Sequence, residues 1–277
     1  MAEERNICVV ITRPEAQAEQ WAKLLSARGF AHTKLNLLEI LPVRDEEKIR
    51  AIKNKILNFD LYQKAIFVSQ NAVEYALQWL EDYWPQMPIG IDFFAVGATT
   101  AKKLSDYGLK VTDLAIAGSG GMTSEDLLRS PGLQEVDGDK IIIFRGCGGR
   151  GHMGEELRQR GAWVDYCELY ERQLPSSAAQ QLQQLGEKIE AGAQEHLFTV
   201  HSGESLENLL QLLQQLLPTA PAIKQSILNL PLLVPSQRIA VNAEAMGFTR
   251  VLLAENATDD AMTRALEQYA NAGHQFG

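Results

Sequence analysis

Ile7-Cys8-Val9-Val10-Ile11-Thr12-Arg13 and Ile141-Ile142-Ile143-Phe144-Arg145 carry one signal twice: a short β-branched run that stops at an arginine and feeds a helical segment. The first helical segment ends at Arg28-Gly29 and the second at Arg160-Gly161, so the arginines and the glycines both stand 132 residues apart. Further along, Phe67-Val68-Ser69 with Asn71-Ala72-Val73-Glu74 returns as Val200-His201-Ser202 with Glu204-Ser205-Leu206-Glu207. Ala95-Val96-Gly97 through Gly108-Leu109 returns as Leu233-Val234-Pro235 through Gly247-Phe248, and Thr123 returns as Thr258. Order is kept and the spacing drifts only from 132 to 139. Solenoid repeats run at about 20 to 50 residues, so this period describes a duplicated domain. Two similar lobes with a cleft are expected.

Short apolar runs alternate with amphipathic segments, the pattern of parallel βαβ units. Strands are expected over 7–11, 34–40, 65–68, 92–96, 111–116, 140–144, 163–170, 196–200, 231–234 and 250–254. The fold class is therefore α/β: two lobes, each a parallel five-stranded sheet flanked by helices. Helix starts are marked by Thr12 before Pro14, Ser69, Thr99 or Thr100, Thr123-Ser124, Ser202, Ser236 and Thr258-Asp259. In such a fold these starts lie at the carboxyl ends of the strands, where ligands bind. Leu206 to Leu217 is too short for a coiled coil and reads as a buried helix.

The length of 277 residues allows about two domains. No apolar run approaches the roughly 20 residues that span a membrane, and the charged start is unlike a signal peptide, so a cytoplasmic protein is expected. A net charge of −9 without a basic block argues against nucleic acid or an anionic membrane as partner. Cys8, Cys147 and Cys167 have no metal or disulfide spacing, and His32, His152, His196, His201 and His274 have none for a metal. No metal site is expected.

Gly146, Gly148 and Gly151 form G-x-G-x-x-G after a strand, with Glu168 and Glu171 downstream, which taken alone suggests a dinucleotide site. The matching stretch of the first copy, Thr12-Arg13-Pro14-Glu15, lacks the glycines. Walker A fails because His152-Met153 follow Gly151, and a Cys147 phosphatase loop fails because residue 153 is methionine rather than arginine. Glycines that let backbone NH groups approach a carboxylate are the alternative reading, with Gly146 as a substrate contact.

Ile11-Thr12-Arg13-Pro14, Phe67-Val68-Ser69-Gln70-Asn71-Ala72-Val73, Val96-Gly97-Ala98-Thr99-Thr100-Ala101, Phe144-Arg145-Gly146 with Gly148-Gly149-Arg150, Tyr170-Glu171-Arg172 and Val234-Pro235-Ser236 occur in this order. Together they resemble the uroporphyrinogen-III synthase family over nearly the whole chain. The resemblance implies lobes that differ from the sequence halves: residues 1–35 with 176–277 in one and 44–165 in the other, joined by a two-strand crossover at 36–43 and 166–175. Hinge motion would follow.

It also implies a reaction without cofactor or metal. Hydroxymethylbilane, a linear tetrapyrrole with eight carboxylates, loses its terminal hydroxyl to give an azafulvene. Ring D then attacks through its substituted carbon, and the spiro intermediate fragments and recloses with D inverted. Spontaneous closure gives the type I isomer instead. A preference of about 100 to 1 needs only about 2.7 kcal/mol between competing transition states, within reach of an enclosing site that holds the chain bent. The further implications are a monomer, with supply from hydroxymethylbilane synthase as one route.

By the same resemblance Tyr170 faces the cleft, where it assists departure of the hydroxyl or packs at the crossing; a phenol is a weak acid, which favours hydrogen bonding over full proton transfer. Thr12, Ser69, Thr100 and Ser202 match positions lining the cleft, or cap their helices. Arg13 and Arg145 follow their strands and are candidates for substrate carboxylates or for ion pairs within the protein. Arg238 stands where the family often has threonine, so Ser236 is the candidate hydroxyl there, and Arg238 a candidate for a carboxylate. Two other readings stay open from sequence: a noncatalytic two-lobed binder of a small anion, and a dinucleotide-dependent oxidoreductase using the glycine-rich turn.

Overall fold

The computed structural model describes residues 5–112, 123–192, 194–216 and 220–273. In chain order the elements begin β1 (Arg5–Ile11), α1 (Glu15–Ala27), β2 (Phe30–Lys34), β3 (Glu39–Pro42), α2 (Glu46–Leu57), β4 (Lys64–Phe67) and α3 (Gln70–Tyr83). Next come β5 (Asp92–Ala95), α4 (Ala98–Asp106), α5 (Ser124–Leu127), β6 (Lys140–Gly146), α6 (His152–Gln159) and β7 (Trp163–Gln173). The chain continues with α7 (Ala178–Glu190), β8 (Glu195–Thr199), α8 (Gly203–Leu216), α9 (Pro221–Leu228), β9 (Pro231–Val234), α10 (Gln237–Ala245), β10 (Arg250–Leu253) and α11 (Asp259–Gly273).

Two compact units result, one from the chain up to Glu39 together with Gln173 onward, the other from Ile40 to Arg172. The first holds a five-stranded sheet in the order β10-β9-β8-β1-β2, parallel throughout. The second sheet has the order β3-β7-β6-β4-β5. Its parallel run is β7-β6-β4-β5, with β3 beside β7 at the edge.

Central strands of a parallel sheet are buried on both faces, which is why they read as continuous apolar runs. In β6, Ile141 and Ile143 enter the core shared with Met153 and Leu157 of α6, while Ile142 and Phe144 enter the core shared with Val73 and Leu77 of α3. In β1, Val9 and Ile11 pack with Trp21 of α1 and Val10 with Leu206 and Leu209 of α8. Each helix supplies a matching stripe. Ala72, Val73, Ala76, Leu77 and Leu80 form the buried face of α3, whose first turn is capped by Ser69 Oγ accepting from the Ala72 amide at 3.1 Å. The Leu206 stretch is the buried helix expected, with Leu209, Leu212, Leu213 and Leu216 inward.

One strand expectation changes and one strand is new. The run over 34–40 is divided: β2 ends at Lys34 in the first sheet and β3 starts at Glu39 in the second, with Leu35, Leu37 and Leu38 buried between. Its apolar pattern reports burial, but its two ends find hydrogen-bond partners in different sheets. Phe30-Ala31-His32-Thr33-Lys34, too polar to signal a strand, forms one because β1 offers it a parallel edge. Of 111–116, Val111 makes an isolated bridge to Phe93, and residues 113–122 lie outside the described set. Among the described residues no helix is long and apolar enough to cross a membrane.

Candidate active site

In the second unit, Ser69, Arg145, Gly146 and Tyr170 stand together at the carboxyl ends of β4, β6 and β7. A register shift between Arg145 and Gly146 sets Gly146 opposite Tyr170, whose carbonyl accepts from the Cys147 amide at 2.8 Å. The Tyr170 ring is buried, stacked on Tyr75 with centroids 5.4 Å apart and planes at 24°. On the other side a Cβ at Gly146 would stand 2.6 Å from its Cε2, so only glycine leaves room for the ring. The Tyr170 hydroxyl shares a hydrogen bond of 2.9 Å with Ser69 Oγ. Tyr75 in turn donates to the Ile40 carbonyl at 3.2 Å.

Arg145 is buried, and its guanidinium lies over the Tyr166 ring at 4.7 Å. Its Nε donates to the Gly146 carbonyl at 3.2 Å and its Nη1 to the Arg150 carbonyl at 3.0 Å. Glu168 is 3.8 Å from Nε and accepts the Gly148 amide at 3.2 Å. Arg145, Gly146 and Tyr170 line a cavity of about 480 Å³ together with Val68, Ile143, Arg150, His152, Met153 and Arg172. Burial, with Glu168 adding to it, pushes the Cys147 thiol up, so this cavity residue is a neutral thiol at neutral pH.

Thr100 is not a cap. Helix α4 starts from Gly97, whose φ of 85° suits glycine, and Thr100 is buried inside the first turn.

In the first unit, Thr12, Arg13, Ser202 and Ser236 occupy the carboxyl ends of β1, β8 and β9. Thr12 does not cap α1 either: its Oγ1 donates to the Thr199 carbonyl at 2.6 Å, and Thr199 Oγ1 donates to the Val10 carbonyl at 2.9 Å, fastening β1 to β8. Pro14 starts the helix instead, without a side-chain cap. Arg13 is ion-paired with Asp259 at the start of α11 and donates to Gln17 at 3.3 Å. Ser202 Oγ accepts the Ser205 amide at 3.1 Å, a helix cap. Ser236 precedes α10 without a side-chain cap bond. Arg238 comes close to the start of α8, its Nη1 3.8 Å from where a Cβ on Gly203 would lie.

His201, beside Ser202, packs edge-on against Trp21 with centroids 4.9 Å apart. Burial, reinforced by the Arg13 charge, pulls its imidazole down to about 3.

Tyr75 and Tyr166 were not marked by the sequence as site residues. Tyr166 lies four residues before Tyr170 on one strand, a spacing that hints at a shared region; Tyr75 reads only as part of an amphipathic helix. Among the described residues, no group of three or more His, Cys, Asp and Glu is disposed to hold a metal ion.

Fold and site define a two-unit α/β protein with a held tyrosine and an arginine-lined cavity at the carboxyl ends of its strands. The family model described as "Uroporphyrinogen-III synthase HemD" matches residues 19–264. The uroporphyrinogen-III synthase of Escherichia coli K12 is 32% identical over 268 residues, covering 94% of this chain and 99% of that protein. That of Salmonella typhimurium LT2 is 30% identical over 272 residues, with 94% and 99% covered. Among solved structures, the uroporphyrinogen-III synthetase of Helicobacter pylori 26695 aligns with a TM-score of 0.56 at 16% identity, covering 96% of this chain and 99% of that one. A mutant uroporphyrinogen III synthase of Thermus thermophilus gives 0.54 at 16%, with 95% and 99% covered. The chain belongs to the uroporphyrinogen-III synthase family.

Proposed function

We infer that this chain is a uroporphyrinogen-III synthase, a lyase that cyclises hydroxymethylbilane with inversion of ring D and release of water. The observation that carries this is 32% identity to the Escherichia coli enzyme along 94% of the chain. Departure of the terminal hydroxyl leaves a cationic azafulvene; ring D attacks it, and the spiro intermediate reopens and recloses with D turned over. Tyr170 is the group we assign to the departing hydroxyl. Its own hydroxyl is held at a defined place by Ser69, and its ring is fixed between Tyr75 and Gly146. Positioned in advance, such a donor stabilises charge as it develops without reorganising.

Of the candidate contacts, Arg145, Thr12 and Thr100 are turned to structural use, Arg145 holding turn carbonyls, Thr12 donating to the Thr199 carbonyl and Thr100 buried in α4, which leaves Gly146, Arg13, Ser202 and Ser236 as the candidates for substrate carboxylates. A monomer acting in the cytoplasm on substrate supplied by hydroxymethylbilane synthase accords with this reading. The dinucleotide alternative is not favoured. The Gly148 amide, which would face a phosphate, is already given to the Glu168 carboxylate, and a Cβ on Gly149 would collide with the Arg145 guanidinium. Gly148 serves the turn through its positive φ, and Gly149 by leaving room for the Arg145 guanidinium.

The test is to generate hydroxymethylbilane in situ, add the protein, oxidise the products and separate the isomers. Type III in proportion to protein is expected; type I alone, at the spontaneous rate, would refute the activity.

A further inference from the structure

The glycine-rich turn from Gly146 to Gly151 is closely built. It wraps around Arg145. Besides the two turn carbonyls that Arg145 holds, Tyr166 donates to the Gly151 carbonyl at 2.7 Å, and Cβ atoms on Gly149 and Gly154 would run into Arg145 and Tyr166. A planar guanidinium with fixed donors can hold two carbonyls while stacking on a ring; an ammonium has no such plane. Arg145 has thus spent donors on the turn and acts as its brace.

What the braced turn displays is Arg150. This residue is exposed, lines the 480 Å³ cavity, and has no ion-pair partner among the described residues. His152, the first residue of α6, lines the same cavity. The acidic member of the wall is Glu125, whose carboxyl is held below the usual range first by its own backbone NH and Thr123, with His152 and Arg150 adding to the effect. Three arginines, Arg145, Arg150 and Arg172, line the cavity beside this one acid, with Arg145 itself 3.8 Å from Glu168, so Arg150 is the cation the turn presents. Val68, Val96, Ile143 and Met153 supply an apolar wall. The volume lies within the range of about 300–1,000 Å³ usual for small-molecule sites.

We propose that this cavity seats one pyrrole ring of the tetrapyrrole against the apolar wall, with a side-chain carboxylate of that ring on Arg150 and with Arg145 as the positioning residue that holds the turn in place. The inference rests on the synthase reading. A carboxylate on a guanidinium makes paired charge-assisted hydrogen bonds, and losing them at a binding site costs about ten- to a hundredfold in affinity.

The experiment compares wild type, Arg150→Gln and Arg150→Lys by two readouts. One is steady-state formation of type III product from hydroxymethylbilane. The other is fluorescence anisotropy of uroporphyrin III, the oxidised product, which needs no turnover. Arg150→Gln is expected to raise KM and the porphyrin Kd by about ten- to a hundredfold with the loss falling on KM rather than kcat, and Arg150→Lys to recover a large part. Unchanged KM and Kd in Arg150→Gln would overturn the assignment while leaving the synthase intact. Equal losses in both variants, accompanied by a lower Tm, would also overturn it, because charge would then not be the cause. A wild type that binds porphyrin through Arg150 but yields only type I would sink the synthase reading and leave the cationic seat standing.

Discussion

The Tyr170 hydroxyl and Ser69 Oγ, 2.9 Å apart, join the carboxyl-terminal part of β7 to the first turn of α3. The serine accepts an amide of its helix as well, so one hydroxyl both starts a helix and aims a phenol.

Removing that phenol hydroxyl tests the assignment directly. In Tyr170→Phe the ring keeps its place between Tyr75 and Gly146, and the loss is one hydrogen bond to the departing group, about 1 kcal/mol or somewhat more. Turnover should fall roughly five- to tenfold with KM little changed. Undiminished kcat would remove the hydroxyl from the mechanism.

Ser69→Ala should cost stability as well as activity. The cap contributes about 1 kcal/mol, and the Tyr170 hydroxyl is left without its partner in a buried setting. Urea unfolding should show a loss of about 1–3 kcal/mol, smaller when Tyr170→Phe is already present, because the two changes share one bond. Strict additivity in the double-mutant cycle would contradict the coupling.

Gly146→Ala and Gly148→Ala separate two uses of glycine. A Cβ at 146 meets the Tyr170 ring at 2.6 Å and must displace it, so activity should drop below that of Tyr170→Phe. At 148 nothing lies within 4 Å, but φ is +71°, so the cost should be about 1 kcal/mol of backbone strain with turnover largely kept. The reverse ranking in kinetic assays would refute this placement of the ring.

His201 should make the fold acid-sensitive. Its imidazole is held at about 3 in the folded chain, against an ordinary value near 6.5, so the unfolded chain takes up the proton first. The stability associated with the neutral ring is complete above about pH 6.5 and is lost as pH falls toward 3, at up to about 1.4 kcal/mol per pH unit. Unfolding free energies measured between pH 7 and 4 should fall less steeply for His201→Leu than for wild type. Parallel curves would exclude His201 as the source.

Much of this architecture is legible in local pattern. Ile141-Ile142-Ile143-Phe144 reads as a strand buried on two faces because each of its alternating sides meets a core. Ser69 and Ser202 read as helix caps and are. Where local pattern misleads, a distant partner has prevailed. Thr12 looks like the cap before Pro14, but the Thr199 carbonyl, 187 residues away, takes its hydrogen bond. Thr100 stands one turn into a helix that Gly97 begins, since a glycine at φ 85° turns the chain earlier than a hydroxyl would signal.

By itself the sequence determined the alternation of strand and helix, because periodicity and capping are properties of neighbouring residues, and its ordered motifs gave the family resemblance that marks Tyr170. Only the tertiary structure decided that Gly146 faces Tyr170 across a register shift, that Tyr75 stacks on that ring, and that Arg145 turns inward to brace the turn while Arg150 is left outward. Those relationships depend on strand register and on which buried donors find carbonyls, and both are settled by packing between segments far apart in the chain.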